Sequence, residues 1–178
     1  MRFTQTPIAG AYLIEPEPHA DERGLFARTF CQTEFSAHGL IDRYAQCSTS
    51  MSKLRGTLRG MHYQRPPYAE TKLVRCTRGE IFDVLIDLRR DSPSYGQWFG
   101  TRLDDENRSQ LYIPDGCAHG FQTLSENAEV LYMIDHEYVP RAADGVRWDD
   151  SFFNIAWPLP IAAIAERDKT YSNWEGRT

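Results

Sequence analysis

The chain has 178 residues, a formal net charge of −5, 41% hydrophobic and 25% charged residues. That suffices for one domain with a buried core, offers no general basic surface to nucleic acid, and obliges any anionic ligand to find local arginines or lysines. The four cysteines, Cys31, Cys47, Cys76 and Cys117, form no CxxC pair, which argues against zinc ribbons and disulfide scaffolds and for reduced thiols.

In chain order, the first ten residues hold no apolar core of signal-peptide length, so a soluble, cytoplasmic protein without a membrane partner is expected. Thr33 to Gly39 predicts a short helix with a glycine stop. Gly56 to Gln64 reads as a strand carrying Arg59, His62 and Gln64. Leu73 to Thr77 is a second strand, and Thr77-Arg-Gly-Glu80 a turn. Ile81 to Leu88 alternates, with Phe82, Val84, Ile86 and Leu88 on one face and Asp83 and Asp87 on the other. Gln110 to Ile113 is a strand stopped by Pro114-Asp-Gly116. Ala128 to Val139 is another, whose parity puts Tyr132, His136 and Tyr138 on one face. The apolar run Ile155 to Ala165 is broken by Pro158 and Pro160 and is too short to span a bilayer; Pro160 to Asp168 reads as a helix. Many short strands between glycines and prolines predict an all-β sandwich or barrel with few helices, as a single domain over 1–178. GxGxxG and Walker loops are absent, so neither dinucleotide hydride transfer nor P-loop chemistry has support.

Two clusters could carry chemistry. In Gly56-Thr-Leu-Arg-Gly-Met-His-Tyr-Gln64, His62 and Gln64 share parity; Arg59 joins their face only if Gly60 allows a bulge. Ile113-Pro-Asp-Gly-Cys-Ala-His-Gly-Phe121 contains Pro-x-Gly-x-x-His, which resembles the second motif of the cupin barrels. Metal cupins place His-x-His in the first motif; here Gln64 stands where a ligand histidine would be, and an amide is a poor transition-metal ligand. A metal site of His62, Glu70 and His119 is therefore the minor reading, and no cofactor is expected. Singly, Lys72 reads as a solvated edge residue, Tyr132 and Tyr138 as core aromatics and Asp168 as a surface charge.

Together these residues resemble the dTDP-4-dehydrorhamnose 3,5-epimerases, from about Pro7 to Tyr171. The matching pieces are Asp21-Glu-Arg-Gly-Leu-Phe26, Gly56 to Gln64, Lys72-Leu-Val74, Phe82-Asp-Val84 with Asp87-Leu-Arg89, Ser92-Pro-Ser-Tyr-Gly96, Tyr112 to Phe121, Ala128-Glu-Val-Leu-Tyr132 and Ile155-Ala-Trp-Pro158. The resemblance implies a cupin-type double-stranded β-helix, a jelly-roll barrel, in a homodimer acting on a dTDP-4-keto-6-deoxyhexose. It implies His62 as the base, Asp168 as its carboxylate partner, Lys72 beside the enolate oxygen and Tyr132 as the acid. It also implies Arg59 and His119 near sugar and phosphates, Arg23 on the diphosphate, Phe26 and Tyr138 around the thymine, and Gln46 at a further binding position. The Arg23 to Phe26 segment would reach the partner subunit's site. Arg28, Ser48 and Ala165 depart from residues common in the family; they touch nucleotide or sugar contacts, not the base or acid, and so bear on substrate identity and stereochemical outcome. The expected reaction is epimerisation at C3 and C5, with C3-only epimerisation as its rival and a catalytically silent sugar-binding barrel as a more distant one.

Overall fold

The computed structural model describes residues 1–174; the last four residues of the expected 1–178 domain lie outside the described part. In chain order the strands are β1 (Arg2–Gln5), β2 (Tyr12–Glu15), β3 (His19–Asp21) and β4 (Gly24–Phe26), then helix α1 (Gln32–Ala37). There follow β5 (Gln46–Ser52), β6 (Thr57–Gln64), β7 (Lys72–Arg78), β8 (Glu80–Asp87), β9 (Trp98–Asp104), β10 (Gln110–Ile113) and β11 (Cys117–Thr123). The chain closes with β12 (Ala128–Ile134), β13 (Ala143–Gly145), β14 (Ala163–Ile164) and helix α2 (Glu166–Thr170). One sheet runs β1-β2-β10-β7-β12-β5, the other β13-β6-β11-β8-β9 with β14 added to β6. Among the described residues every pairing is antiparallel except that of β14 with β6. β3 and β4 form a separate exposed hairpin.

Pleat parity sorts the side chains. Val74, Cys76, Leu111, Ile113 and Val130 of the first sheet meet Ile81, Leu85, Cys117 and Phe121 of the second in one buried core between the sheets. The outer face of the second sheet is also buried: Met61, Val84, Ile86 and Ala118 pack under Val146, Phe153 and Trp174. The outer face of the first holds Ile14, Leu73 and Tyr112 against Phe35 of α1. Both faces of β8 are thus covered, and the Asp83 and Asp87 face is the barrel interior, with both carboxylates at 0% exposure.

Two readings of the sequence need correction. Pro160 to Asp168 is not one helix: Ala163 and Ile164 pair in parallel with Thr57 and Leu58, and the helix begins only at Glu166. The strand from Ala128 ends at Ile134 rather than Val139: the Asp135 N–H still donates to the Thr71 carbonyl at 3.2 Å, but the returning Thr71 N–H goes to the Asp135 side-chain Oδ1 at 2.7 Å. His136 consequently leaves the shared face and packs edge-on against Tyr68.

Candidate active site

The apolar core fills one end of the barrel. At the other end the same interior positions become polar, and a cavity of about 640 Å³ opens between the sheets. β5 contributes Gln46, Ser48 and Ser50; β6 contributes Arg59, His62 and Gln64. The bulge that would put Arg59 on the histidine's face is present. His119 pairs with His62 and Phe121 with Arg59, so three steps on β6 span two on β11, around Gly60 at φ +138°. A Cβ at Gly60 would come within 2.5 Å of Gly120 Cα, so only glycine permits this strand crossing.

His62 and Asp168 form the first reactive pair. His62 Nε2 donates to Asp168 Oδ1 at 2.7 Å, while Asp168 Oδ2 accepts the Gly60 N–H at 3.2 Å. Asp168 is 3% exposed, whereas the His62 side chain is 41% exposed to the cavity. With Nε2 committed to a carboxylate that accepts on both oxygens, Nδ1 is the imidazole nitrogen left for a ligand.

Tyr132 stands on the opposite wall, on β12 of the facing sheet. Burial raises its phenol well above the ordinary tyrosine range and the Asp83 charge adds to this; Arg59 and a hydrogen bond with Ser50 pull the other way. Lys72 reaches across from the first sheet: its Nζ pairs with Glu70 Oε1 at 2.9 Å and donates to the His62 carbonyl at 3.3 Å. Gln64 is built into the wall. Its amide donates to Glu70 Oε2 at 2.8 Å and accepts the Val139 N–H at 2.6 Å. His119 Nε2 donates to Asp83 Oδ1 at 2.7 Å. His62, Glu70 and His119 therefore face three different protein partners rather than one another, and no cluster of three such donors with metal-holding geometry occurs among the described residues.

At the mouth, Arg59 is exposed and anchored to Ser52 Oγ at 3.0 Å, and Gln46 Oε1 accepts the Tyr138 N–H at 3.2 Å. Tyr138, 55% exposed, stands at this rim.

A family model described as dTDP-4-dehydrorhamnose 3,5-epimerase matches residues 5–175. The chain belongs to this epimerase family. The dTDP-4-dehydrorhamnose 3,5-epimerase of Methanothermobacter thermautotrophicus is 47% identical over 177 residues, 98% of this chain and 93% of the relative. The crystal structure of dTDP-4-dehydrorhamnose 3,5-epimerase from Elizabethkingia anophelis matches with a TM-score of 0.94 at 37% identity, covering 98% of this chain and 96% of that one. The dTDP-6-deoxy-D-glucose-3,5-epimerase of Legionella pneumophila, solved in complex with dTDP-4-keto-L-rhamnose, matches at 0.87 and 37%, covering 94% and 89%. The fold is the cupin-type jelly roll of these epimerases, and the chain is an isomerase of that family.

Of the residues singled out in the sequence, His62, Lys72, Tyr132, Asp168, Gln46, Arg59, His119 and Tyr138 line this one cavity. Arg23 and Phe26 do not. They lie on the β3–β4 hairpin, where Phe26 is 71% exposed and Arg23 pairs with Asp21. Three residues have a place in the site that their sequence context does not announce. Arg167 lines the cavity beside Asp168, its guanidinium 5.6 Å from the Tyr171 ring centroid and hydrogen-bonded to Tyr138. Glu70 reads in the sequence only as a metal ligand, not as the partner of Lys72. Asp83 has a strand face in the sequence but no task; a charge alternating with Ile81 and Leu85 is its only signal.

Proposed function

We propose that this chain epimerises a dTDP-4-keto-6-deoxyhexose at C3 and C5 through an enolate, using its own side chains. The observation that carries the reading is the placement of an imidazole–carboxylate pair and a phenol on opposite walls of one cavity, with an ammonium reaching between them. C3 and C5 both flank the C4 ketone, so one base can serve both. His62 Nδ1 takes the proton, and Asp168 stabilises the imidazolium that results. The electron pair of the broken C–H bond moves onto O4, where the Lys72 ammonium meets the developing charge. Tyr132 gives its proton to the same carbon from the other face; solvent then reprotonates the phenolate and takes the proton from His62. These steps are proton transfers alone and call for no metal or redox cofactor.

Arg59 and Arg167 at the mouth supply the local positive charge that a diphosphate needs on a chain of net charge −5. The exposed hairpin bearing Arg23 and Phe26 supports a homodimer in which it enters the neighbouring mouth, Arg23 meeting the diphosphate and Phe26 facing Tyr138 across the thymine. No helix among the described residues is long and apolar enough to cross a membrane; a cytoplasmic, soluble enzyme is the reading we adopt.

The test is incubation with dTDP-4-keto-6-deoxyglucose in D2O, with the product followed by NMR. Deuterium at both C3 and C5 with inversion at each is expected. Deuterium at C3 alone would overturn the double epimerase, and no exchange at either carbon would overturn the epimerase reading.

A further inference from the structure

The His62–Asp168 pair has a counterpart that the proposed reaction leaves unused. Asp83 lies on the interior face of β8 between Ile81 and Leu85 and is fully buried. Its Oδ1 accepts from His119 Nε2 at 2.7 Å, and its Oδ2 is buried with no hydrogen-bond partner among the described residues. A carboxylate in such surroundings costs stability unless it is paired, and a well-packed apolar side chain would serve the core better. The hydrogen bond to His119 is an interaction that an apolar residue could not replace.

His119 is in turn a contact of the proposed acid. Its ring meets Tyr132 edge-on, centroids 5.9 Å apart at 74°, and it pairs across the ladder with His62. An edge-to-face contact orients a ring only if its partner ring is itself held. The bond to Asp83 supplies that hold.

We propose that Asp83 is a positioning residue for the acid: through His119 it fixes the Tyr132 ring so that the phenol stays over the sugar face opposite His62. The proposal rests on the reading of Tyr132 as the acid. It predicts a particular kind of damage. Proton removal by His62 does not depend on where the phenol points, but delivery to the far face does. A displaced phenol leaves His62 to return a proton to the face it came from, which gives exchange without inversion. Burial, the largest cause of its raised phenol, keeps Tyr132 protonated between turnovers with or without the lesser contribution of the Asp83 charge.

The experiment reads deuterium exchange and inversion on the same NMR sample, with dTDP-4-keto-6-deoxyglucose in D2O, for wild type, Tyr132→Phe, Asp83→Ala and Asp83→Asn. Because both quantities come from one sample, their ratio is independent of how much of a variant is folded. Asp83→Ala is expected to raise the ratio of exchange to inversion about tenfold, in the direction of Tyr132→Phe. Asp83→Asn keeps an acceptor for His119 Nε2 in place and should stay within about threefold of wild type. If alanine yields no soluble enzyme, Asp83→Ser, too short to reach His119, carries the same expectation. An unchanged ratio in Asp83→Ala, an equal loss of exchange and inversion, or an asparagine variant as altered as the alanine variant would each overturn the proposal. If Tyr132→Phe itself fails to separate exchange from inversion, the acid assignment falls and the proposal with it. If Tyr132→Phe separates them and Asp83→Ala does not, the proposal alone falls.

Discussion

Asp168→Asn removes a charge while keeping the shape of the side chain, and the hydrogen bonds around it determine the damage. Each Asp168 oxygen accepts one hydrogen bond, from His62 Nε2 at 2.7 Å and from the Gly60 N–H at 3.2 Å, in a position only 3% exposed. Asparagine has one acceptor. If its carbonyl serves His62, its NH2 faces the Gly60 N–H, donor against donor, at a cost of about 1–3 kcal/mol for a buried unsatisfied group. If the carbonyl serves Gly60, the NH2 faces His62 and the imidazole must accept on Nε2. Its proton then moves to Nδ1, and the lone pair that would receive the substrate proton is gone. The second arrangement wins, because the neutral tautomers differ by less than the penalty of the first. The imidazolium also loses a charge-assisted bond of about 1.5–3 kcal/mol, roughly 10- to 150-fold in rate. Together the two losses should remove most of a general base's contribution, so exchange at C3 and C5 should fall by about 10²–10⁴-fold. The assay is deuterium wash-in by NMR, alongside 15N shifts of His62 to read the tautomer and circular dichroism to confirm the fold. Exchange within about threefold of wild type in a folded variant would refute the assignment of the pair as base and orienter.

The remaining expectations concern charge, assembly and acid stability. Lys72→Ala should slow exchange by about 10²–10³-fold by leaving the enolate oxygen unmet. It should also lower stability by about 3 kcal/mol, because Glu70, with its side chain 9% exposed, loses its cation; Lys72→Ala with Glu70→Gln should recover the stability but not the rate, in melting and exchange measurements. Phe26→Ala and Arg23→Ala should weaken dTDP binding in calorimetry by about tenfold each while leaving the melting temperature of the fold unmoved, since both side chains are exposed; a monomer with full activity in sedimentation experiments would refute the shared site. Burial works against the charged form of Asp87, but hydrogen bonds from Arg89, Ser92 and Ser94 outweigh it and hold the carboxyl down to about 2. Its contribution is therefore complete above the unfolded value of about 4 and is lost as pH falls through about 2, so Asp87→Asn should flatten the acid limb of a stability-versus-pH curve.

How far the sequence could be read depended on whether a local rule or a distant pairing decided each element. Pro114 ends β10 directly after Ile113, because proline cannot continue the ladder, and Gly60 leaves room for the bulge that aims Arg59. Both are written within a few residues of where they act. Asp83 was harder, because alternation says which residues share a face and not whether that face is enclosed; in this barrel both faces of β8 are covered, by strands from one side and by Phe153 and Trp174 from the other. For Arg23 and Phe26 a binding role comes from the resemblance alone, since within one chain the hairpin lines no part of the cavity.

The segment after Pro160, a strand and a short helix rather than one helix, explains how the site is assembled. Its composition suits a helix, yet Ala163 and Ile164 add to β6 in parallel, in register with Thr57 and Leu58. That edge was open, and local helix propensity yields to an available ladder. Gly56 makes the approach possible, with its carbonyl accepting the Ala162 N–H at 2.9 Å and a Cβ there coming within 2.8 Å of the Pro160 oxygen. The pairing sets the distance that matters. From Ile164 beside Leu58, one extended residue and the first turn of α2 carry Asp168 over Gly60 and His62, the residues whose N–H groups it accepts. A continuous helix from Pro160 would turn successive residues by about 100° and forfeit the pairing of Ala163 and Ile164 with Thr57 and Leu58 that ties the segment to β6. Two residues of parallel strand, not helix propensity, bring a carboxylate 106 positions distant in sequence to within 2.7 Å of the histidine it orients.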